Sequence, residues 1–192
     1  MGNKYKNANI IKIYKEADPE GRFQIMMRNY HIFPRELNKA ESKIRFRIKA
    51  ELECERQKVS EGLGVRVQTS SMGDRTASEA IANVLLEEAF KTGNIDHSIL
   101  KGISEAAEIE EEIHMIRIMR MDFELLEGLL KNLSELDARI MVKHFSEKKF
   151  CKEIAGEEDK EPEAVKKRIY RLKQSLKEEI IEYLEMNYGR NE

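Results

Sequence analysis

Apolar residues recur along this chain at helical spacing. From Pro34 to Val59, Leu37, Ala40, Ile44, Ile48 and Leu52 fall every three or four positions and predict an amphipathic helix. Pro34 suits its first turn, where a missing N–H costs nothing, and Gly62-Leu63-Gly64 should end it. The stripe needs a partner helix, from within the chain or from a second subunit. Val65 to Asp74 reads as an extended loop. Thr76 and Glu79 form a capping-box pattern ahead of a helix from about Ala77 to Lys91, which should bury Ala77, Ala80, Ile81, Val84 and Leu85 and stop at Gly93. With Asp96 as N-cap, Ile99, Ile103, Ala106, Ile109, Ile113, Ile116, Phe123, Leu126 and Leu130 predict a long central helix over 98–131. Met115, Met119 and Met121 are expected as core filling.

Three shorter helices should follow. Ser134 with Asp137 marks a fresh cap for about 135–144; the second covers about 151–155 and the third 162–186, with Pro162 at its first turn. By contrast, residues 1–22 read as polar and irregular, with one apolar patch at Ile10, Ile11, Ile13 and Tyr14 and a turn signal at Asp18-Pro19-Glu20-Gly21. The expected fold is all-α. An irregular N-terminal arm (1–33) leads into a helical dimerisation or interaction region (34–131) with its long central helix. A C-terminal three-helix helix-turn-helix domain (132–192) completes the chain.

Composition agrees with helix: among 192 residues there are three prolines and no tryptophan. The formal net charge of −2 hides a strong local asymmetry. From Arg139 to Lys177 twelve Lys/Arg face seven Asp/Glu, whereas from Ile103 to Asp137 three Lys/Arg face ten Asp/Glu. The last helix carries Lys166, Lys167, Arg168, Arg171, Lys173 and Lys177 with no acid from Ala164 to Lys177, a pattern suited to phosphates. Cys54 and Cys151 are too few and too far apart for a disulfide framework and read as reduced thiols. No apolar run approaches a membrane span and the N-terminus lacks a signal core, so a cytoplasmic protein is expected.

Catalysis finds little support. His31, His97, His114 and His144 share no metal spacing with the cysteines or each other, no Gly-rich phosphate loop is present, and Glu110, Glu111 and Glu112 point different ways from one helix. No enzyme activity, cofactor or metal is expected.

The C-terminal segment has the layout of a helix-turn-helix. Leu133…Leu136…Arg139-Ile140, then Glu153-Ile154-Ala155, then Val165 through Ile169 to Leu176, with ten residues from Ala155 to Val165, resemble the promoter-reading C-terminal domain of bacterial sigma factors. Upstream, Arg28-Asn29-Tyr30, Val67-Gln68-Thr69-Ser70 and Gly73-Asp74-Arg75 resemble the ArpU-like and RinA-like transcriptional regulators of phages and prophages in Gram-positive bacteria. This resemblance implies a sequence-specific DNA-binding protein acting on phage late genes or mobile-element packaging genes; an activator acting with RNA polymerase is the expected form. The implied DNA contacts are Glu163, Ala164, Lys166, Lys167, Arg168, Tyr170, Arg171 and Lys173. Double-stranded DNA, RNA polymerase and a second copy in a homodimer are the candidate partners. A polymerase- or sigma-binding protein with weak DNA binding, or a small terminase-like packaging accessory, are the alternatives.

The chain departs from the sigma pattern in the turn. Glu158-Asp159-Lys160-Glu161 stand where sigma-like domains have apolar pegs, and Lys149 and Phe150 stand where a Ser or Thr cap is usual. The acids Glu157, Glu158, Asp159, Glu161 and Glu163 would oppose a DNA backbone if they faced it.

Overall fold

A computed structural model describes residues 10–61 and 75–188, and every regular element in them is a helix. The fold is all-α. The helices are α1 (Ile10–Glu16), α2 (Pro19–Asn29), α3 (Phe33–Glu61), α4 (Arg75–Thr92), α5 (Ala106–Lys131), α6 (Glu135–Phe145), α7 (Cys151–Glu157) and α8 (Pro162–Tyr188). The chain divides into two units, one of residues 1–36 with 119–192 and one of residues 37–118.

The first unit corrects the expectation of an irregular arm, since residues 10–29 are almost wholly helical. Asp18 is an N-cap: its Oδ1 accepts the Gly21 N–H at 2.7 Å, and Pro19 opens the helix behind it. A cap followed by proline has the same composition as a turn, so Asp18-Pro19 fits either reading. α1 buries Ile11 and Tyr14, and α2 buries Phe23, Ile25, Met26 and Met27. α2 lies against α8, where Lys177 Nζ meets Glu20 Oε1 at 2.6 Å. The rings of Phe33 and Phe123 stack at 4.9 Å, and Tyr30 stands 5.3 Å from Phe123 and 6.2 Å from Phe145. Tyr14 donates its hydroxyl proton to buried Asp122 at 2.8 Å. The arm is thus part of the core that supports the C-terminal helices.

In the second unit the apolar stripe of α3 is covered within the chain: Leu37, Ile44 and Ile48 are buried. Ala40 and Leu52 of the same stripe are half-buried. Arg47 on the same helix reaches Glu112 at 2.8 Å and Glu105 at 2.6 Å, and Glu51 accepts the Ser104 N–H at 2.8 Å. Gly62-Leu63-Gly64 and the loop of Val65 to Asp74 lie outside the described residues.

α4 begins at Arg75, so Thr76 is inside the helix and not at its cap. Its buried face also differs from the expected one. Leu86, Ala89 and Phe90 are buried, while Ile81 and Val84 are exposed. The helix has apolar residues on two faces, and the face with the aromatic ring removes more surface from water; Arg45 lies over that ring at 4.9 Å. Gly93, at φ +81°, ends α4 in the left-handed region as expected.

The long central helix is shorter than predicted, starting at Ala106. Asp96 caps only a run of turns in which Ile99, Leu100 and Ile103 donate to carbonyls three residues back, and Gly102 at φ +86° cannot continue a right-handed helix. Those three apolar residues are buried nonetheless. Successive turns and an α-helix present the same three-residue apolar spacing, so periodicity could not separate them. Met115 and Met119 fill core as expected, whereas Met121 is exposed. No described helix is long and apolar enough to cross a membrane.

Candidate nucleic-acid interface

The three C-terminal helices are built around one small core of Ile140, Ile154, Ala155, Val165 and Ile169, with Leu136 and Cys151 packed against it. Local signals set each end. Ser134 Oγ accepts the Asp137 N–H at 3.3 Å and starts α6. α7 lacks a side-chain cap from Phe150, as its type demands, but Glu153 Oε2 reaches back to the Phe150 N–H at 2.7 Å and satisfies that orphan donor. At its other end Asp159 adopts φ +51° and the Lys160 N–H bonds to the Ala155 carbonyl at 2.9 Å, a Schellman closure of the turn.

The missing apolar pegs are replaced by charge. Glu158, whose side chain is only 7% exposed, accepts Lys143 Nζ at 2.6 Å and Arg139 Nη2 at 3.2 Å. Glu157 takes Lys143 at 2.7 Å and Lys149 at 2.6 Å. The Lys143 ammonium holds both carboxyls below the usual glutamate range, with Arg139 adding to the effect on Glu158 and Lys149 to that on Glu157. Two acids expected to oppose DNA are therefore neutralised by cations of α6 and the loop after it. This clamp ties α6 to the end of α7.

α8 leaves the turn at Pro162 and presents an outward face. Val165, Ile169, Leu176, Ile180 and Leu184 are buried, which turns Glu163, Ala164, Lys166, Lys167, Tyr170 and Arg171 to solvent. Tyr170 is 64% exposed, so packing does not hold its ring. Lys166 has a weak exposed pairing with Glu163 at 3.6 Å. Lys160, Ala164, Lys167 and Arg171 line a cleft of about 330 Å³ beside Leu136 and Ile140 of α6. Lys160 was not among the expected contacts. It sits in the turn, outside the run of helical cations, and only the placement of the turn brings it to this face.

Two of the expected contacts have partners within the fold. Arg168 and Lys173 lie roughly 100° and 120° round the helix from Lys167, on opposite flanks of the buried stripe. Arg168 pairs with Asp137 of α6 through Nε to Oδ1 and Nη2 to Oδ2; that guanidinium holds the Asp137 carboxyl below its ordinary range. Lys173 turns the other way. Its Nζ lies 4.8 Å from the centre of the Phe145 ring and 3.2 Å from His144 Nε2, and burial lowers its pKa. Arg168 thus locks α8 to α6, and Lys173 points into a separate pocket. The exposed set is Glu163, Ala164, Lys166, Lys167, Tyr170 and Arg171, joined by Lys160 and by the half-exposed Arg168, which lines the same cleft while paired with Asp137.

Among the described residues no three His, Cys, Asp or Glu side chains are grouped to hold a metal, and Cys54 and Cys151 are free. Comparison with protein-family models, curated proteins and solved structures finds no match to this chain.

Proposed function

We propose that the protein is a sequence-specific DNA-binding transcription regulator of the phage and prophage type, an activator acting with RNA polymerase. The observation that carries this reading is the outward face of α8, where Lys166, Lys167, Tyr170 and Arg171 stand exposed on a three-helix core with the helix-turn-helix order. Recognition helices read base edges from their N-terminal residues and hold phosphates with flanking cations. Glu163 and Ala164 occupy the base-reading end; Lys160, Lys166, Lys167 and Arg171 supply the phosphate contacts.

A second reading is a polymerase- or sigma-binding protein with weak affinity for DNA. It is favoured by how many of the local cations are already engaged: Arg139, Lys143 and Lys149 by Glu157 and Glu158, and Arg168 by Asp137. A gel-shift scan of fragments from the source genome, at two salt concentrations and with or without RNA polymerase, separates the two. Salt-sensitive retention of one fragment by the protein alone supports the first reading. Retention only with polymerase present supports the second, and no retention in either arm overturns both.

A further inference from the structure

Away from the outward face of α8, a pocket of about 600 Å³ opens between α2, α6, the loop before α7 and α8. All of these belong to one unit. Its volume falls in the range of small-molecule sites. Phe23 and Met27 of α2 and Phe145 of α6 line it with apolar surface, and Phe150 adds a ring that is 77% exposed. The remaining wall is polar and mostly cationic: Arg28, Lys148, Lys149 and Lys173 line it with Gln24 and His144, and no acid does among the described residues.

These cations are not equivalent. Lys149 is neutralised by Glu147 at 2.8 Å and Glu157 at 2.6 Å. Lys173 is half-buried, and its contacts are a ring face and an imidazole nitrogen, neither of which carries negative charge. Lys148 donates to the Arg28 carbonyl at 3.3 Å, a neutral acceptor. Burial lowers the pKa of both lysines and of His144. With Lys173 donating to Nε2, the neutral His144 ring carries its proton on Nδ1, which faces the Lys149 carbonyl at 3.4 Å. Two ammonium groups without carboxylate partners among the described residues thus border an apolar cavity. Lys148 is exposed and keeps its hydration, whereas Lys173 is half-buried; partly desolvated charge without a counter-ion is costly, and an anion brought against Lys173 would relieve that cost, with Lys148 adding attraction from the rim.

We propose that this pocket binds a small organic anion, an apolar body carrying one carboxylate, with the body against Phe23, Met27 and Phe145 and the carboxylate between Lys173 and Lys148. The neutral His144 orients Lys173 toward the cavity, and Phe150 covers the ligand from the rim. The site does not rest on the DNA reading, because none of its lining residues belongs to the exposed face of α8.

The test uses the full chain and two probes that share an apolar body, the anionic anilinonaphthalene sulfonate and the neutral phenylnaphthylamine, followed by fluorescence titration. The anion should bind with one-to-one stoichiometry and be displaced by 2-naphthoate. Lys173→Met and Lys148→Gln should each weaken it about tenfold or more, as loss of a charged hydrogen-bond donor predicts, while the neutral probe is unaffected. Lys148 is exposed, so Lys148→Gln keeps the test valid if Lys173→Met perturbs folding, and circular dichroism reports that directly. Lys167→Ala with Arg171→Ala should leave probe binding unchanged, which separates this site from the DNA surface. Anion affinity unaltered in Lys148→Gln, or no saturable binding by the unmodified protein, overturns the proposal.

Discussion

Arg168 holds Asp137 with two nitrogens at once, Nε on Oδ1 and Nη2 on Oδ2, across 31 residues of sequence. The same carboxylate accepts the Ser134 hydroxyl at 2.7 Å, so one buried acid joins the cap of α6 to the middle of α8. Arg168 is half-exposed, which screens the pair and limits its worth. Arg168→Ala should destabilise the protein by about 1–2 kcal/mol, because it leaves Asp137 without its charged donor. Chemical denaturation measures this. The carboxyl is held below its ordinary range, so the pair contributes fully above about pH 4 and is lost as the pH falls through the lowered value. The gap between Arg168→Ala and the unmodified protein should therefore narrow in acid; a constant gap would show that the ion pair is not what stabilises.

Among the described residues Lys167 and Arg171 have no such partner, and they lie on the outward face of α8. Replacing both by Ala should change stability by no more than about 0.5 kcal/mol, the usual range for surface positions. Binding to the retained DNA fragment should be lost or strongly weakened, and any remaining salt dependence should be shallower by roughly two in log-log slope. Equal binding by this variant would remove α8 as the contact surface.

The clamp on Glu157 and Glu158 carries its own pH signature. Both carboxyls are held down by Lys143, and both are ionised in the folded state below the usual glutamate range. Their contribution is present above that range and disappears as the pH drops through the lowered values. Thermal unfolding should show a midpoint that falls on acidification, and Glu158→Gln should flatten that acid limb while lowering the midpoint near neutrality. A parallel acid limb in the variant would mean that other carboxylates govern it.

Tyr14 and Asp122 join α1 to α5 through a buried hydrogen bond of 2.8 Å. Tyr14→Phe keeps the ring against Phe33 at 6.2 Å and removes only the donor. It should cost about 1–2 kcal/mol. If residues 10–16 were loosely attached, the substitution would be silent in the same denaturation experiment.

How far the fold could be read in advance depended on where its determinants lie. The ends of α6, α7 and α8 were legible within a residue or two because local chemistry sets them: the Ser134 hydroxyl on Asp137, Pro162 at a first turn, and apolar positions at Ile140, Ile154, Val165 and Ile169. Residues 10–29 were not, because a cap followed by proline has the same composition as a turn, and helix there depends on packing of Phe23, Met26 and Met27 against distant chain. The exposed positions of α8 were legible from helical phase. Arg168 and Lys173 were not, since nothing within ten residues of either announces Asp137 or the ring of Phe145.

The amino-acid sequence alone determined the all-helical class, the stripe of α3 and the three C-terminal helices, because propensity, capping and periodicity act over one or two turns. Tertiary structure decided which of two apolar faces α4 buries, whether residues 96–105 join α5, and which cations stay exposed. A charge finds its partner by distance in space: Glu158 meets Arg139 and Lys143 across 19 and 15 residues, and Lys173 meets His144 across 29. Those pairings settle whether a basic residue holds the fold together, borders a pocket or faces solvent, and local pattern carries no record of them.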